Sequence, residues 1–300
     1  MLISAGLLMT GCRQPAAEIV DSQPAAFGPL RLMTFNIRYA TANDGENRWE
    51  RRRAHVIELI RSRRPDIVGL QEVLHSQFLE LCAALPEFAA TGVGRDDGRT
   101  GGEYAPILFR ARRFEVLDFG TFWFSDTPDV PGSKSWGNSI PRICTRARLR
   151  QRDVGGPTLS VYNVHLDHVS AASRLRSVDA LMRRIAARPV DDPVIVMGDF
   201  NAGENSPEIV RLRTLPLHVG PRPSPPARTL ADTFRMLHPD AADVGTYHAF
   251  RGDRGGAKID YVFVDPRFET LEAEIVHEER DGRYPSDHFP VAAVVAWEGD

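Results

Sequence analysis

Five short clusters in the chain place carboxylate, carboxamide or imidazole groups at the ends of apolar runs. They are Thr34-Phe35-Asn36, Gln71-Glu72-Val73, Asn163-Val164-His165-Leu166, Gly198-Asp199-Phe200-Asn201 and Ser286-Asp287-His288, and Ile259-Asp260-Tyr261 adds one more acid. Such groups, gathered in one place, can hold a hard divalent cation and direct water at a phosphodiester. Because the clusters are spread from Asn36 to His288, we expect one site assembled from the whole chain.

The adjacent Asp287 and His288 are the most specific of these signals. A histidine next to an aspartate can be held in one tautomer and tuned towards neutral pH. Asp199 and Asn201 are two residues apart and point the same way if the strand continues. A lone histidine is more often structural, and a turn without function is the alternative for Asp199 and Asn201.

Glu72 closes a strand that is otherwise apolar. A carboxylate on a rigid strand end can fix Mg²⁺ or Mn²⁺ and leave positions open for water and substrate oxygens. The alternative is a solvated acid in the turn between a strand and a helix. Asn36, taken alone, would simply end a strand in a turn.

The order of these clusters resembles the endonuclease/exonuclease/phosphatase superfamily, also called DNase I-like, from Leu30 to Trp297. The resemblance implies that Glu72 is the principal ligand of Mg²⁺ or Mn²⁺. It places Asn36 beside the metal and makes Asp287 a possible further ligand.

The same resemblance assigns catalytic roles to five residues. Asp199 would orient or deprotonate the attacking water, and Asn201 would stabilise the pentacovalent phosphorane. His288 would contact the scissile phosphate and pair with Asp260. His165 matches a strand-end histidine that binds the phosphate in many branches of the superfamily.

Three further residues are candidates for substrate binding. A guanidinium can grip phosphate oxygens with two hydrogen bonds. Arg142, which follows Pro141 and precedes a strand, is the first choice and Arg174 the second. Tyr104 precedes a strand that the superfamily places close to the site. Most arginines lie on the surface and only increase solubility, and this alternative stays open for Arg142 and Arg174.

Apolar runs and turn residues predict an α/β (α+β) fold. Strands are predicted at 30–36, 66–71, 105–109, 114–124, 143–150, 159–165, 194–198, 257–264 and 290–297, and helices at 49–63, 75–85 and 171–188. The segment 217–228 is proline-dense and predicts a surface loop. The mixed order favours two packed mixed β-sheets flanked by helices, a four-layered α/β sandwich, in one domain at 29–300.

Composition limits the partners. The 300 residues are 42% hydrophobic and 26% charged, with a net charge of −3 and a sequence pI near 6.3. That balance weighs against long nucleic acid as the main partner without excluding it. We expect a monomer that acts on a phosphate ester.

The first residues resemble a bacterial lipoprotein signal. A short apolar run at 2–8 is followed by Met9-Thr10-Gly11-Cys12, so Cys12 would carry a lipid and residues 13–28 would form a tether. The expected location is the cell envelope, periplasmic or surface, with secretion as the alternative. The run lacks a basic segment before it, so an accidental likeness is the other interpretation.

Three functions stay open at this point. The first is a metal-dependent phosphodiesterase or phosphatase acting outside the cytoplasm on a small, glycan-linked or lipid-linked phosphate ester. The second is a nuclease that scavenges nucleic acid, and the third is a binding lipoprotein without catalysis. The stretch from Phe122 to Ser125, the Trp136 loop and Pro141-Arg142 look like a secreted bacterial branch of the superfamily.

Overall fold

The structure, a computed structural model, describes residues 27–152, 156–217, 219 and 228–297. Its strands are β1 (Phe27–Asn36), β2 (Ile67–Gln71), β3 (Phe88–Thr91), β4 (Ile107–Arg110), β5 (Phe114–Trp123), β6 (Ile143–Gln151), β7 (Thr158–His165), β8 (Val194–Asp199), β9 (Pro216–Leu217), β10 (Arg228–Thr229), β11 (Ala231–Asp232), β12 (Asp260–Val264), β13 (Glu269–Ile275) and β14 (Val291–Trp297). Its α-helices are α1 (Trp49–Arg63), α2 (His75–Ala84), α3 (Ala171–Ala186), α4 (Pro207–Thr214) and α5 (Thr233–Leu237).

Two six-stranded sheets form the centre of the fold. The first has the order β13-β14-β1-β2-β4-β3 and the second the order β11-β12-β8-β7-β6-β5. Apolar side chains from both sheets meet between them, among them Leu32, Ile67, Met197 and Val262. Further clusters join the first sheet to α1 and α2 and the second sheet to α3 and α4. The predicted four-layered sandwich is confirmed.

Strand register brings the predicted site residues to one edge of the molecule. β1 and β2 run parallel, with Asn36 opposite Gln71. β7 and β8 also run parallel, with His165 opposite Asp199. β12 runs antiparallel to β8 and places Asp260 opposite Asp199. Parallel neighbours end on the same side, so polar residues that close separate strands become neighbours in space.

Several elements differ from the prediction. The sequence did not predict β3, β13, α4 or α5. β13 lies on the edge of a sheet and its glutamates are exposed. It therefore has no continuous apolar run from which a strand could be predicted. β1 starts at Phe27 and therefore takes in the last two residues of the predicted tether.

One basic residue of α1 lies on the inner face of the helix. Arg52 is buried together with Val56, Leu59 and Ile60. The buried face of α1 therefore contains the guanidinium of Arg52.

The lipoprotein signal, Cys12 and most of the tether lie outside the described residues, as does most of 217–228. Among the described residues, none of the helices has the length and apolar character that a bilayer span requires.

Candidate active site

Three buried titratable groups form the centre of the site, and we call them the buried triad: Asp199, Asp260 and His288. One ligand atom from each lies within 4.8 Å of the others. His288 Nδ1 donates to Asp260 Oδ2 at 2.9 Å, while its Nε2 lies 3.9 Å from Asp199 Oδ2. The second oxygen of Asp260 is buried without a hydrogen-bond partner among the described residues. The arrangement fixes the imidazole between two carboxylates.

The surroundings change the protonation of the triad. Burial alone would lower the pKa of His288, but the charges of Asp260, Asp199 and Asp287 raise that pKa well above its usual range. Burial, with the repulsion of Asp260, raises the pKa of Asp199 to about 7. The triad therefore pairs an imidazolium with a carboxylate that can accept a proton near neutral pH.

Asn36 connects the buried triad to Glu72. Its Nδ2 donates to Glu72 Oε1 at 3.1 Å and to Asp199 Oδ2 at 3.0 Å. Its Oδ1 accepts from the backbone N–H of Arg38 at 3.0 Å. The side chain is therefore a bridge between two carboxylates, because its amide oxygen is used within its own turn.

Glu72 and Asp287, which we call the acidic pair, lie on either side of one arginine. Arg38 Nη1 is 3.9 Å from Glu72 Oε2, and Arg38 Nε is 3.8 Å from Asp287 Oδ2. Glu72 Oε2 also accepts from the N–H of Tyr39. The available donors are carboxylate oxygens, the ligand type that Mg²⁺ and Mn²⁺ prefer, so the acidic pair fits a hard cation.

Three turns beside the site adopt the left-handed backbone region. The φ angles are +59° at Arg38, +58° at Glu72 and +50° at Asn201. Residues with a Cβ are uncommon in this region, and such strain concentrates at functional sites. The turn geometry therefore marks the strand ends that the sequence singled out.

The strand does not continue through Asn201 as the spacing argument assumed. β8 ends at Asp199, whose Oδ1 accepts from the Asn201 N–H at 2.8 Å, and Asn201 Nδ2 donates to Leu166 O at 3.1 Å. Gly198 has φ +144°, and a Cβ there would lie 2.1 Å from Val164 O. The tight turn needs glycine for both reasons.

His165 lies at the end of β7 and is held by Arg142. Arg142 Nη1 donates to His165 Nε2 at 3.0 Å and Nη2 donates to His168 Nδ1 at 2.6 Å. Burial and the charge of Arg142 hold the pKa of His165 well below its usual range. His165 is thus a neutral imidazole whose Nε2 accepts from an arginine; its Nδ1 lies 3.7 Å from Glu103 Oε2.

The other two predicted substrate-binding residues, like Arg142, make contacts within the protein. Tyr104 is 4% exposed, and its hydroxyl donates to Arg99 O and contacts His75 Nδ1, both at 2.8 Å. Arg174 donates to Asp167 O at 2.9 Å and pairs with Glu208. Both therefore support loops near the site in this structure.

The sequence did not reveal a buried polar bridge that ties three of the clusters together. Gln71 Nε2 donates to Thr34 Oγ1 at 3.0 Å and to Asn163 Oδ1 at 2.7 Å. Asn163 Nδ2 donates to Leu70 O at 2.8 Å and Pro106 O at 2.9 Å. The bridge joins the two sheets directly behind Asn36, Glu72 and His165. Its only sequence signal is a polar residue inside each otherwise apolar strand.

Residues 33–288 match the model of the Endonuclease/Exonuclease/phosphatase family. The chain belongs to this family. Its members are divalent-metal-dependent hydrolases of phosphoester bonds, so the chain is an ester-bond hydrolase of this class. The interpretation as a binding protein without catalysis is set aside.

Solved bacterial members of the family are similar over almost their whole length. A family protein from Bacteroides vulgatus is 34% identical with a TM-score of 0.77, and the match covers 89% of this chain and 98% of that one. The mannosyl-6-phosphatase of Bacteroides thetaiotaomicron is 28% identical with a TM-score of 0.76, covering 89% and 99%.

Matches among curated proteins are partial. Nocturnin of Drosophila melanogaster is 26% identical over 313 residues, a match that covers 90% of this chain and 47% of nocturnin. An uncharacterised protein of Acanthamoeba polyphaga mimivirus is 28% identical over 165 residues, covering 52% and 60%. The chain thus spans about half to three fifths of the length of these curated relatives.

Proposed function

We propose that this family member is a metal-dependent phosphatase or phosphodiesterase that hydrolyses small or glycan- or lipid-linked phosphate esters by in-line attack of water. One observation carries the proposal: the buried triad and the acidic pair are joined by a single side chain, Asn36. A proton acceptor and a place for a cation thus lie side by side, as water-dependent phosphoester cleavage requires.

Glu72 and Asp287 would hold Mg²⁺ or Mn²⁺, with Asn36 orienting Glu72. When bound, the cation polarises a phosphate oxygen and stabilises the leaving oxygen. Arg38 lies beside both carboxylates and is partly exposed, with 27% of its side chain accessible. Its guanidinium hydrogen-bonds to Asp44, so it offsets only part of the negative charge of the acidic pair while no cation is bound.

The chain's own residues carry the proton and the developing charge. Asp199 accepts the proton of the attacking water, because its raised pKa makes it a base suited to neutral pH. His288 keeps its proton through the contact with Asp260 and donates from Nε2 to a phosphate oxygen. Asn201 and the His165–Arg142 pair add donors or positive charge nearby.

A phosphomonoester carried on a sugar is the substrate class best supported among these esters. The support is the mannosyl-6-phosphatase from Bacteroides thetaiotaomicron, which this chain matches over 99% of that protein's length. The net charge of −3 weighs against nucleic acid, the alternative substrate.

The proposal is tested by hydrolysis of a chromogenic phosphodiester, the matching monoester, a hexose 6-phosphate and single-stranded DNA. Each is assayed with Mg²⁺, with Mn²⁺ and with EDTA. We expect metal-dependent release of phosphate, with the monoesters hydrolysed faster than the diester. Activity that persists in EDTA, or DNA as the best substrate, would contradict the proposal.

A further inference from the structure

Arg52 is a buried arginine whose hydrogen bonds all reach backbone carbonyls. It lies on the inner face of α1 and is 4% exposed. Its Nε donates to Asn47 O at 2.8 Å and its Nη2 to Arg38 O at 2.8 Å. Its Nη1 donates to Pro285 O at 3.1 Å and to Ile37 O. Among the described residues, no carboxylate lies within 4.0 Å of this guanidinium.

Three of the four carbonyls belong to two segments that are far apart in the chain and meet at the site. The fourth, Asn47 O, lies just before α1. Ile37 and Arg38 directly follow Asn36, and Pro285 directly precedes Ser286-Asp287-His288. A second bond closes the same seam, because Ser286 Oγ donates to Asn36 O at 2.7 Å. Each segment carries part of the proposed metal and phosphate site.

A buried cation is costly unless its donors are satisfied, and apolar side chains would fill the same volume at lower cost. A guanidinium is planar and carries five donors in a fixed fork, so it can hold several carbonyls at set directions. A lysine offers one nitrogen and cannot span the same acceptors. The burial of Arg52 and its fork of donors therefore suit a residue that fixes the positions of the two segments relative to each other.

We infer that Arg52 is a positioning residue that sets the distance between Asn36 and Asp287, and with it the geometry of the acidic pair. It hydrogen-bonds to no candidate catalytic side chain, and three of its four hydrogen bonds hold the backbone of the two segments. This inference rests on the proposed function of the same site.

The test compares Arg52→Lys with Arg188→Lys. Arg188 is the control because it is also a buried arginine, 7% exposed, and lies near the start of β8, away from the site. It donates to Ile185 O and Asp192 O and pairs with Asp191. Four quantities are measured for each variant: thermal stability, kcat and KM on the best ester, and Mn²⁺ affinity by calorimetry without substrate.

For Arg52→Lys we expect kcat to fall by about 10- to 100-fold and Mn²⁺ to bind about 10-fold more weakly, with KM nearly unchanged. For Arg188→Lys we expect a similar loss of thermal stability with kcat and Mn²⁺ affinity unchanged. If Arg52→Lys keeps wild-type kcat and Mn²⁺ affinity while losing only stability, Arg52 is merely structural and the inference is wrong.

If Arg52→Lys does not fold, Ser286→Ala provides a second test of the same inference. It removes the second bond across the seam, and we expect Mn²⁺ affinity to fall about 3- to 10-fold. Unchanged Mn²⁺ affinity in Ser286→Ala would overturn the inference. A wild-type protein that binds Mn²⁺ but hydrolyses no ester would contradict the proposed function, whereas the affinity comparison would still decide the role of Arg52.

Discussion

The buried triad and the acidic pair balance their charge in different ways. Asp199 and Asp260 have no arginine within 4.0 Å among the described residues and share one imidazole. Glu72 and Asp287 lie within 4.0 Å of the guanidinium of Arg38, which hydrogen-bonds to Asp44. Because no arginine in the described part of the chain neutralises the two carboxylates of the triad, the pKa values of Asp199 and His288 are raised, which suits proton transfer. The acidic pair shares its nearby guanidinium with Asp44 and so keeps excess negative charge, which suits the binding of a metal ion.

The largest effect should come from removing the proton acceptor of the triad. Asp199→Asn keeps the shape of the side chain but removes its basicity, so kcat should fall by about 10²- to 10⁴-fold. Thermal stability should change little, because the relief of repulsion with Asp260 is offset by the loss of one of the two hydrogen bonds that Asp199 accepts. A kcat within threefold of wild type, measured on the best ester, would show that Asp199 is not the acceptor.

Glu72→Gln should separate the two clusters. It removes a charge from the acidic pair, so Mn²⁺ should bind at least about 10-fold more weakly in a calorimetric titration. Asp199→Asn, measured beside it as the control, should bind Mn²⁺ with nearly wild-type affinity. Equal losses in both variants would mean that the two clusters form one ligand set.

The dependence of the rate on pH should follow the protonation of Asp199 and His288 in the buried triad. The rate should rise with pH as Asp199 ionises, because burial and the repulsion of Asp260 raise the pKa of Asp199 to about 7, and it should fall only at high pH, where His288 loses its proton. Asp260→Asn removes the charge that raises both pKa values, so both limbs of the profile should move to lower pH. Limbs that keep their wild-type positions would contradict the coupling.

The smallest effect is expected at Arg38. Arg38→Gln frees the acidic pair from a partly exposed cation, whose contacts are worth little in water, so Mn²⁺ should bind about 2- to 5-fold more tightly. Arg38→Lys keeps the charge and serves as the control with unchanged affinity. Weaker Mn²⁺ binding in Arg38→Gln would mean that the arginine supports the metal site.

The sequence was sufficient for the sandwich and for the strand ends at Asn36, Glu72 and Asp199, because long apolar runs stop there. It was not sufficient for the turns. Asn201 would point the same way as Asp199 only if the strand continued, whereas it takes a left-handed conformation that side-chain spacing does not encode.

Contacts between distant segments were also beyond the sequence. Helical spacing identifies an apolar stripe on α1, but an arginine at its border has the same pattern whether it faces solvent or carbonyls. Arg52 is buried because Ile37, Arg38 and Pro285 present carbonyl acceptors that only the folded chain brings together. The bridge of Thr34, Gln71 and Asn163 depends in the same way on the packing of two sheets.

The most direct test of the account measures kcat of His288→Ala on the best ester with saturating Mn²⁺. His238→Ala is the matched control, since His238 contacts Ala273 O and takes no part in the site. The account predicts a loss of about 10²- to 10⁴-fold in His288→Ala with the fold intact, and wild-type activity in the control. Near-normal activity in His288→Ala would contradict the assignment of the buried triad as the catalytic centre.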